Sequence, residues 1–249
     1  MKRIIFILLA AIVAAALPLQ ARTYALLAAV SDYGNPEHNL PNATPGAKAF
    51  RDILRTQTKD ITLLTTKHAT AKNILEKLRA ITNRAQAGDR IIFFFNGHGF
   101  QGGVACYDDT YLHYTDLVKA LTDTKASEVF VFIDACHSGS VGDDVSDKSN
   151  WFEGLKPGDG HVYMLSSRGE EFSYGSNWLN KCYFTQALLT GYRGKSDTNH
   201  DRDITVLELF KHIHKDVVRR SDDQQHPIML APKSMHDAVL IRYNEQPTD

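Results

Sequence analysis

The chain has 249 residues, of which 43% are hydrophobic and 23% are charged, and its formal net charge is −1. These values favour one globular domain with a sizeable core, and they argue against a disordered chain. Binding to nucleic acid or to an anionic membrane needs clustered Lys and Arg, which this balanced composition does not indicate. We therefore expect neither of them as a partner.

The first 21 residues have the pattern of a secretory signal peptide. Lys2 and Arg3 precede an apolar run over residues 4–17, and Pro18-Leu19-Gln20-Ala21 follows it. The run is too short to span a bilayer comfortably. An uncleaved anchor or a core helix stays open as an alternative, because Leu19 fits the cleavage rule poorly. We expect residues 1–21 to be removed, and the exported chain, periplasmic or secreted and without a membrane anchor, to form a single domain over residues 22–249.

Short apolar runs without polar alternation predict five strands that are covered on both faces. They span residues 23–30, 60–66, 90–95, 128–134 and 161–167. Helical periodicity predicts helices around Phe50 and Leu78 and over residues 114–124, 183–192 and 205–219, while residues 227–230 and 238–243 are weaker strand candidates. A polar, glycine-rich loop is predicted over residues 141–160. The alternation of strands and helices predicts an α/β fold with a mostly parallel central sheet and helices on both faces.

Two of the predicted strands end on residues that can do chemistry. RIIFFF is followed by Asn96-Gly97-His98-Gly99, and EVFVFID is followed by Ala135-Cys136-His137. The carboxyl ends of parallel strands form the ligand crevice of an open α/β sheet, so we expect both side chains at one rim. A cysteine thiolate with a neighbouring imidazole suits nucleophilic catalysis, and the backbone N–H groups of Gly99 and Cys136 would be donors to an oxyanion.

Each of these two residues, taken alone, also fits a purely structural role. A lone cysteine after a strand is more often a small buried hydrophobe, and a lone histidine is more often a satisfied polar group. Their joint occurrence in glycine-containing strand exits, with the histidine upstream, favours a catalytic pair. His137 is the poorer base because adjacent side chains tend to project apart. The spacing of Cys and His also does not fit structural zinc.

At these residues the sequence resembles a known family. FFFNGHG and FVFIDACHSGS are similar to the paired histidine and cysteine motifs of the caspase-like cysteine peptidases, in particular the bacterial metacaspase-like (orthocaspase) branch. The resemblance implies a three-layer caspase-hemoglobinase fold with a central sheet of about six strands. It also implies a dyad of Cys136 and His98, an oxyanion hole that includes the Gly99 amide, a protein or peptide substrate, and no cofactor for the chemistry itself.

The resemblance also bears on the substrate residue at P1. Caspases hold a P1 aspartate with arginines, one of which corresponds to the stretch 173–175, where this chain has no arginine. Metacaspases have an acid that corresponds to Asp134, which could receive Arg or Lys at P1. Their second P1-binding acid corresponds to Gly46, so one carboxylate stands where two are usual. An alternative role for Asp134 is a strand-end cap that accepts backbone N–H bonds.

Calcium is considered at two places. Metacaspases are often activated by calcium through acids that correspond to Asp108, Asp109 and Asp143, although we identify no counterpart of their fourth acidic ligand. Separately, DTNHDRDITVLE over residues 197–208 has oxygen side chains at the ligand positions of an EF-hand-like loop, but Arg202 stands where the turn requires glycine. The alternative for this segment is a polar loop that caps the helix beginning near Thr205.

Two functions therefore stay open: an exported cysteine endopeptidase, and a caspase-fold interaction module with little or no catalysis. The physiological substrate, any self-cleavage and the oligomeric state are not fixed by the sequence. Export would also place three cysteines in an oxidising compartment. Besides Cys136 these are Cys106 and Cys182, for which a disulfide and two independent thiols are both compatible with the sequence.

Overall fold

The structure, a computed structural model, describes residues 21–100, 102–135, 160–167, 175–176 and 181–244. In chain order its strands and α-helices are β1 (Thr23–Ala29), α1 (Ala43–Leu54), β2 (Asp60–Thr65), α2 (Ala71–Arg84), β3 (Arg90–Asn96), β4 (Gly99–Phe100), β5 (Gly103–Ala105), β6 (Tyr111–His113), α3 (Tyr114–Thr122), β7 (Glu128–Asp134), β8 (His161–Leu165), β9 (Gly175–Ser176), β10 (Lys181–Cys182), α4 (Tyr183–Thr190), β11 (Asp203–Thr205), α5 (Val206–Arg220), β12 (Ile228–Leu230) and β13 (Val239–Arg242). Cys136, His137, Asp143 and nearly all of the predicted loop 141–160 lie outside the described residues.

A six-stranded sheet forms the centre of the molecule, in the order β12-β8-β7-β3-β1-β2. Five neighbouring strands run parallel, and β12 pairs with β8 in the antiparallel direction. The predicted mostly parallel sheet of about six strands is thus confirmed. Of the two weaker strand candidates, residues 227–230 contain the edge strand β12. The second, β13, pairs with β11 in a separate small sheet.

The sheet carries helices on both faces because its strands are apolar on both sides. Along β3, alternate side chains enter different cores: Phe93 and Phe95 pack with α2 and α3, whereas Ile92 and Phe94 pack with α1, α4 and α5. Phe50 of α1 lies in the second core, with its ring centroid 5.4 Å from that of Phe94. Burying a side chain of this size stabilises the fold by about 1.5–3 kcal/mol. The predicted three-layer arrangement is therefore confirmed.

A small antiparallel sheet, β4-β5-β6, follows directly on β3 and was not predicted. It begins at Gly99 and leads through β6 into α3. Its strands have two or three residues each, too few to show a periodicity in the sequence. The sheet matters because it fixes the backbone immediately after His98.

Of the two alternatives that the sequence left open for Cys106 and Cys182, the structure has the independent thiols, since these two residues do not pair with each other. Cys106 belongs to the core that contains Phe93, on the α2 side of the sheet. The thiol of Cys182 lies 3.8 Å from Oδ1 of Asn96, and Asn96 alternates with Phe95 along β3 and so points to the opposite face. The central sheet thus lies between the two cysteines.

No helix in the described part of the chain is long and apolar enough to cross a membrane.

Candidate active site

The ends of β3 and β7 lie side by side at the carboxyl edge of the sheet. Their parallel register pairs Asn96 with Asp134, and neighbouring strands lie about 4.8 Å apart. His98 follows its strand two residues after Asn96, and Cys136 has the same offset from Asp134. The described structure therefore brings His98, Gly99 and Asp134 to one rim, while Cys136 itself lies outside the described residues.

The imidazole of His98 is held by the loop between β1 and α1. Its Nε2 atom lies 2.7 Å from the carbonyl oxygen of His38, which ends a short 3₁₀ turn over Pro36–His38. A carbonyl oxygen only accepts hydrogen bonds, so in this contact the proton is on Nε2. In the neutral ring Nδ1 is then the acceptor, which is the state that a general base needs.

Tyr33 of the same loop makes two kinds of contact with His98. Its hydroxyl accepts a hydrogen bond from the backbone N–H of His98 at 2.7 Å and donates one to the carbonyl of Ala105 at 3.1 Å. The rings of Tyr33 and His98 are packed with centroids 4.7 Å apart. A Cβ atom at Gly97 would lie 2.6 Å from the tyrosine hydroxyl, so this approach needs a glycine. The sequence patterns did not reveal Tyr33, although β1 also ends at this rim.

The backbone N–H of Gly99 is oriented away from the β4–β5 ladder, as an oxyanion donor requires. Gly99 lies opposite Val104 in the β4–β5 pair, and the preceding pair, His98 and Ala105, exchanges a hydrogen bond from Ala105 N to His98 O at 3.0 Å. Hydrogen-bonded and non-hydrogen-bonded pairs alternate in an antiparallel ladder. The N–H of Gly99 therefore points away from β5 and toward the open side of the hairpin.

Asp134 is buried, with 2% of its surface exposed. One carboxylate oxygen, Oδ2, accepts hydrogen bonds from the backbone N–H of Thr185 at 3.0 Å and from its hydroxyl at 2.6 Å. The same hydroxyl accepts a bond from the Asn96 amide at 2.9 Å. Asp134 thus caps the first turn of α4, as the alternative interpretation of this residue expected. Its other oxygen, Oδ1, has no hydrogen-bond partner among the described residues.

Burial dominates the acidity of Asp134. Desolvation raises the pKa of its carboxyl to about 6, and the hydrogen bonds from Thr185 and Cys182 oppose that rise. The carboxyl is therefore a weaker acid than an exposed aspartate, and it still titrates below neutral pH.

Gly46 lies against this buried cluster. A Cβ atom built on it would stand 2.8 Å from the Thr185 methyl carbon and 3.5 Å from the Asn96 amide nitrogen. Gly46, which corresponds to the second P1-binding acid of metacaspases, thus lies next to the hydrogen-bonded group of Asp134, Thr185 and Asn96. The methyl group of Thr185 restricts the space there.

Ser166, directly after β8, is hydrogen-bonded to Ala135, the residue that follows β7. Its hydroxyl accepts from the backbone N–H of Ala135 at 3.1 Å and donates to the carbonyl of the same residue at 2.9 Å. The Gln225 side chain in turn donates to the Ser166 carbonyl at 2.6 Å. The backbone immediately before Cys136 is therefore fixed by the Ser166 hydroxyl, and Gln225 in turn holds Ser166.

The candidate calcium ligands lie in different places. Asp108 and Asp109 are exposed in the turn between β5 and β6, where both have left-handed backbone angles, φ 64° and 50°. In the loop 197–208, Asp203 is paired with Arg242, and Glu208 forms a capping box with Thr205. Across the described ranges, no group of three His, Cys, Asp or Glu side chains could hold a metal ion. The helix-capping alternative for the second segment is therefore supported.

The fold and these strand ends define a class of protein, the α/β proteins whose candidate site lies at the carboxyl edge of a mostly parallel sheet. The model of the caspase domain, a family of cysteine-type endopeptidases, matches residues 22–238. The chain therefore belongs to the caspase-domain peptidase family.

More distant relatives agree with this assignment. The chain is 31% identical over 93 residues to a vacuolar-processing enzyme of Glycine max and 30% identical over 93 residues to a legumain of Canavalia ensiformis. These matches cover 35% of this chain but only 17% and 18% of the relatives, so they span less than a fifth of those proteins. The structure of protein GSU0716 from Geobacter sulfurreducens superposes with a TM-score of 0.65 at 17% identity, covering 90% of this chain and 100% of that one. This last likeness concerns the fold.

Proposed function

We propose that the protein is an exported cysteine endopeptidase in which Cys136 is the nucleophile and His98 the general base. The observation that carries the proposal is the register of β3 and β7, which pairs Asn96 with Asp134. His98 and Cys136 each follow that pair by two residues on adjacent strands. The family assignment makes a protein or peptide the substrate.

The proposed chemistry uses groups of this chain and one water molecule. Nδ1 of His98 takes the proton of the Cys136 thiol, and the thiolate attacks the scissile carbonyl carbon. The N–H groups of Gly99 and Cys136 stabilise the oxyanion, and His98 then returns the proton to the leaving amine, which leaves a thioester on Cys136. A water molecule, deprotonated by His98, hydrolyses this thioester, and the released Cys136 thiolate takes the proton back. The bond from His98 Nε2 to the His38 carbonyl supports this assignment, because it leaves Nδ1 as the acceptor.

We further propose that Asp134 binds Arg or Lys at P1. Its Oδ1 atom, without a partner among the described residues, supports this role. However, Thr185 already occupies Oδ2, and Gly46 supplies no second carboxylate. We therefore expect a weaker preference for basic residues than a site with two acids would have.

Calcium activation is part of the same proposal. Asp108 and Asp109 offer carboxylate oxygens, the ligands that calcium prefers. They lie on the turn that joins β5 to β6, and β5 pairs with the strand that begins at Gly99. A cation bound there would act on the hairpin that follows His98.

One observation favours a second function, a caspase-fold interaction module. The carboxylate that would bind P1 is buried and engaged in capping α4, which suits an interaction module with little proteolysis.

Labelling with a peptidyl acyloxymethyl ketone separates the two functions, because the reaction needs an activated thiolate. We expect the wild type and Cys106→Ala to be labelled, and Cys136→Ala to remain unlabelled. His98→Ala should react at least about a hundredfold more slowly, as for loss of a general base, whereas His68→Ala, at an exposed position, should react normally. Absence of labelling in the wild type, with and without calcium, would favour the interaction module.

A peptide-library cleavage profile tests the remaining parts of the proposal. We expect cleavage after Arg or Lys, faster with calcium than with a chelator. A profile without basic P1 residues would refute the role of Asp134, and equal rates in calcium and chelator would refute the role of Asp108 and Asp109.

A further inference from the structure

The hairpin after β3 has an unusual defect at His98. In an antiparallel ladder a hydrogen-bonded pair exchanges two N–H···O bonds. Here Ala105 N donates directly to His98 O at 3.0 Å, but the return bond from His98 N to Ala105 O is replaced by a side chain. The hydroxyl of Tyr33 lies between the two groups, accepting from His98 N at 2.7 Å and donating to Ala105 O at 3.1 Å.

We propose that Tyr33 is a positioning residue, whose inserted hydroxyl sets the direction in which both the His98 imidazole and the Gly99 N–H face the reacting carbonyl. The inference rests on the proposed peptidase function. Tyr33 acts through His98 and Gly99, and it is assigned no contact with the substrate.

The geometry gives Tyr33 control over both groups. The Tyr33 hydroxyl lies between His98 N and Ala105 O and keeps these two backbone groups apart. The hairpin is therefore open at His98, the residue directly before the Gly99 N–H. At the same time the tyrosine ring packs against the imidazole, with centroids 4.7 Å apart. The absence of a side chain at Gly97 permits this approach, since a Cβ atom there would stand 2.6 Å from the hydroxyl.

Tyr33 is itself held in place. Its backbone N–H donates to the Asn39 side chain at 2.9 Å, and Leu40 N donates to Ser31 O at 2.9 Å, which closes the loop on itself. The same loop presents the His38 carbonyl to the imidazole. One loop therefore holds His98 at three points: its Nε2 atom contacts the His38 carbonyl, its ring packs against Tyr33, and its backbone N–H donates to the Tyr33 hydroxyl.

Tyr33→Phe tests the hydroxyl while keeping the ring. We expect its inactivation rate constant with the acyloxymethyl ketone to fall about tenfold, which corresponds to one hydrogen bond. The inhibitor concentration for half-maximal rate should change by less than about twofold, because Tyr33 is not proposed to touch the ligand. Tyr24→Phe, at the start of β1 and the far edge of the sheet, is the matched control and should react as the wild type does.

Amide hydrogen exchange gives a readout that does not depend on activity. The peptide containing residues 97–100 should exchange faster in Tyr33→Phe, because the His98 N–H loses its acceptor. Asn39→Ala leaves Tyr33 in place but removes its backbone anchor, and it should shift both readouts in the same direction by less. This second variant keeps the test valid if Tyr33→Phe does not fold.

The outcomes separate this inference from the peptidase proposal. A wild type that is not labelled would remove both. A labelled wild type, with Tyr33→Phe inactivated at the same rate, would overturn the role of Tyr33 alone, even if exchange at residues 97–100 became faster. Slower inactivation together with an equally large change in half-maximal concentration would also overturn it, since it would place Tyr33 in ligand binding.

Discussion

Replacing Asp134 by asparagine should change how the stability of the protein depends on pH. Asp134 has an ordinary pKa of 3.8 in the unfolded chain, and burial raises the pKa to about 6 in the fold. Between these values the folded state holds more protons than the unfolded state, so the free energy of unfolding falls as pH rises. Above pH 6 the ionised, buried carboxylate destabilises the fold by about 3 kcal/mol relative to pH below 3.8.

Asp134→Asn removes this titration and keeps an oxygen that can accept from Thr185. The new amide group adds a buried donor, whose cost of about 1–3 kcal/mol does not vary with pH. We therefore predict that the stability of the variant minus that of the wild type increases by about 3 kcal/mol between pH 3.5 and pH 7. Urea unfolding at half-unit pH steps measures this difference, and Asp123→Asn, at an exposed acid, should show almost none. Parallel curves for the wild type and Asp134→Asn would refute the effect of burial on this carboxyl.

Three further predictions concern other described positions. Gly46→Ala should lower the free energy of unfolding by about 1–3 kcal/mol, because the added carbon would lie 2.8 Å from the Thr185 methyl carbon. The control Lys48→Ala, at an exposed position of the same helix, should change this free energy little. Thr205→Ala should cost about 1 kcal/mol through loss of the capping box at the start of α5, measured by the same unfolding assay. Iodoacetamide at pH 8 should leave Cys106 unmodified in the native protein, because burial raises the pKa of its thiol to about 12, and a peptide map without reduction should contain no link from Cys106 to Cys182.

Most of the central sheet could be predicted because its strands carry a strong signal. Runs such as those over 90–95 and 128–134 are apolar on both faces, and the residue at which each run stops is unambiguous. From there the rule for carboxyl ends predicted a shared rim for His98 and Cys136. The register of β3 and β7 pairs Asn96 with Asp134, the residues two positions before each of them, whereas Cys136 itself lies outside the described residues. The strand order of the sheet, by contrast, depends on crossovers that no local pattern contains.

The features that the sequence did not reveal depend on contacts between distant segments. Tyr33 lies 65 positions before His98 in the chain, and nothing near it in sequence marks it as a partner of a histidine. The pairing of β13 with β11, away from the central sheet, is equally non-local. The pairing of Cys106 and Cys182 stayed open for the same reason, because the face of the sheet on which each cysteine lies could not be assigned from the sequence.

The buried cluster at Asp134 ties the candidate site to the core. Asn96 ends β3, Asp134 ends β7, and Thr185 opens α4, and one hydroxyl group joins all three. Gly46 brings α1 against the same threonine. A carboxylate in that place caps a helix and holds two strand ends in register, and it does so at a cost in desolvation that increases with pH. The same register aligns His98 with the chain leading to Cys136. A glycine at position 46, in place of a second acid, therefore changes the surroundings of the carboxylate proposed for P1 and leaves the alignment of the proposed dyad intact.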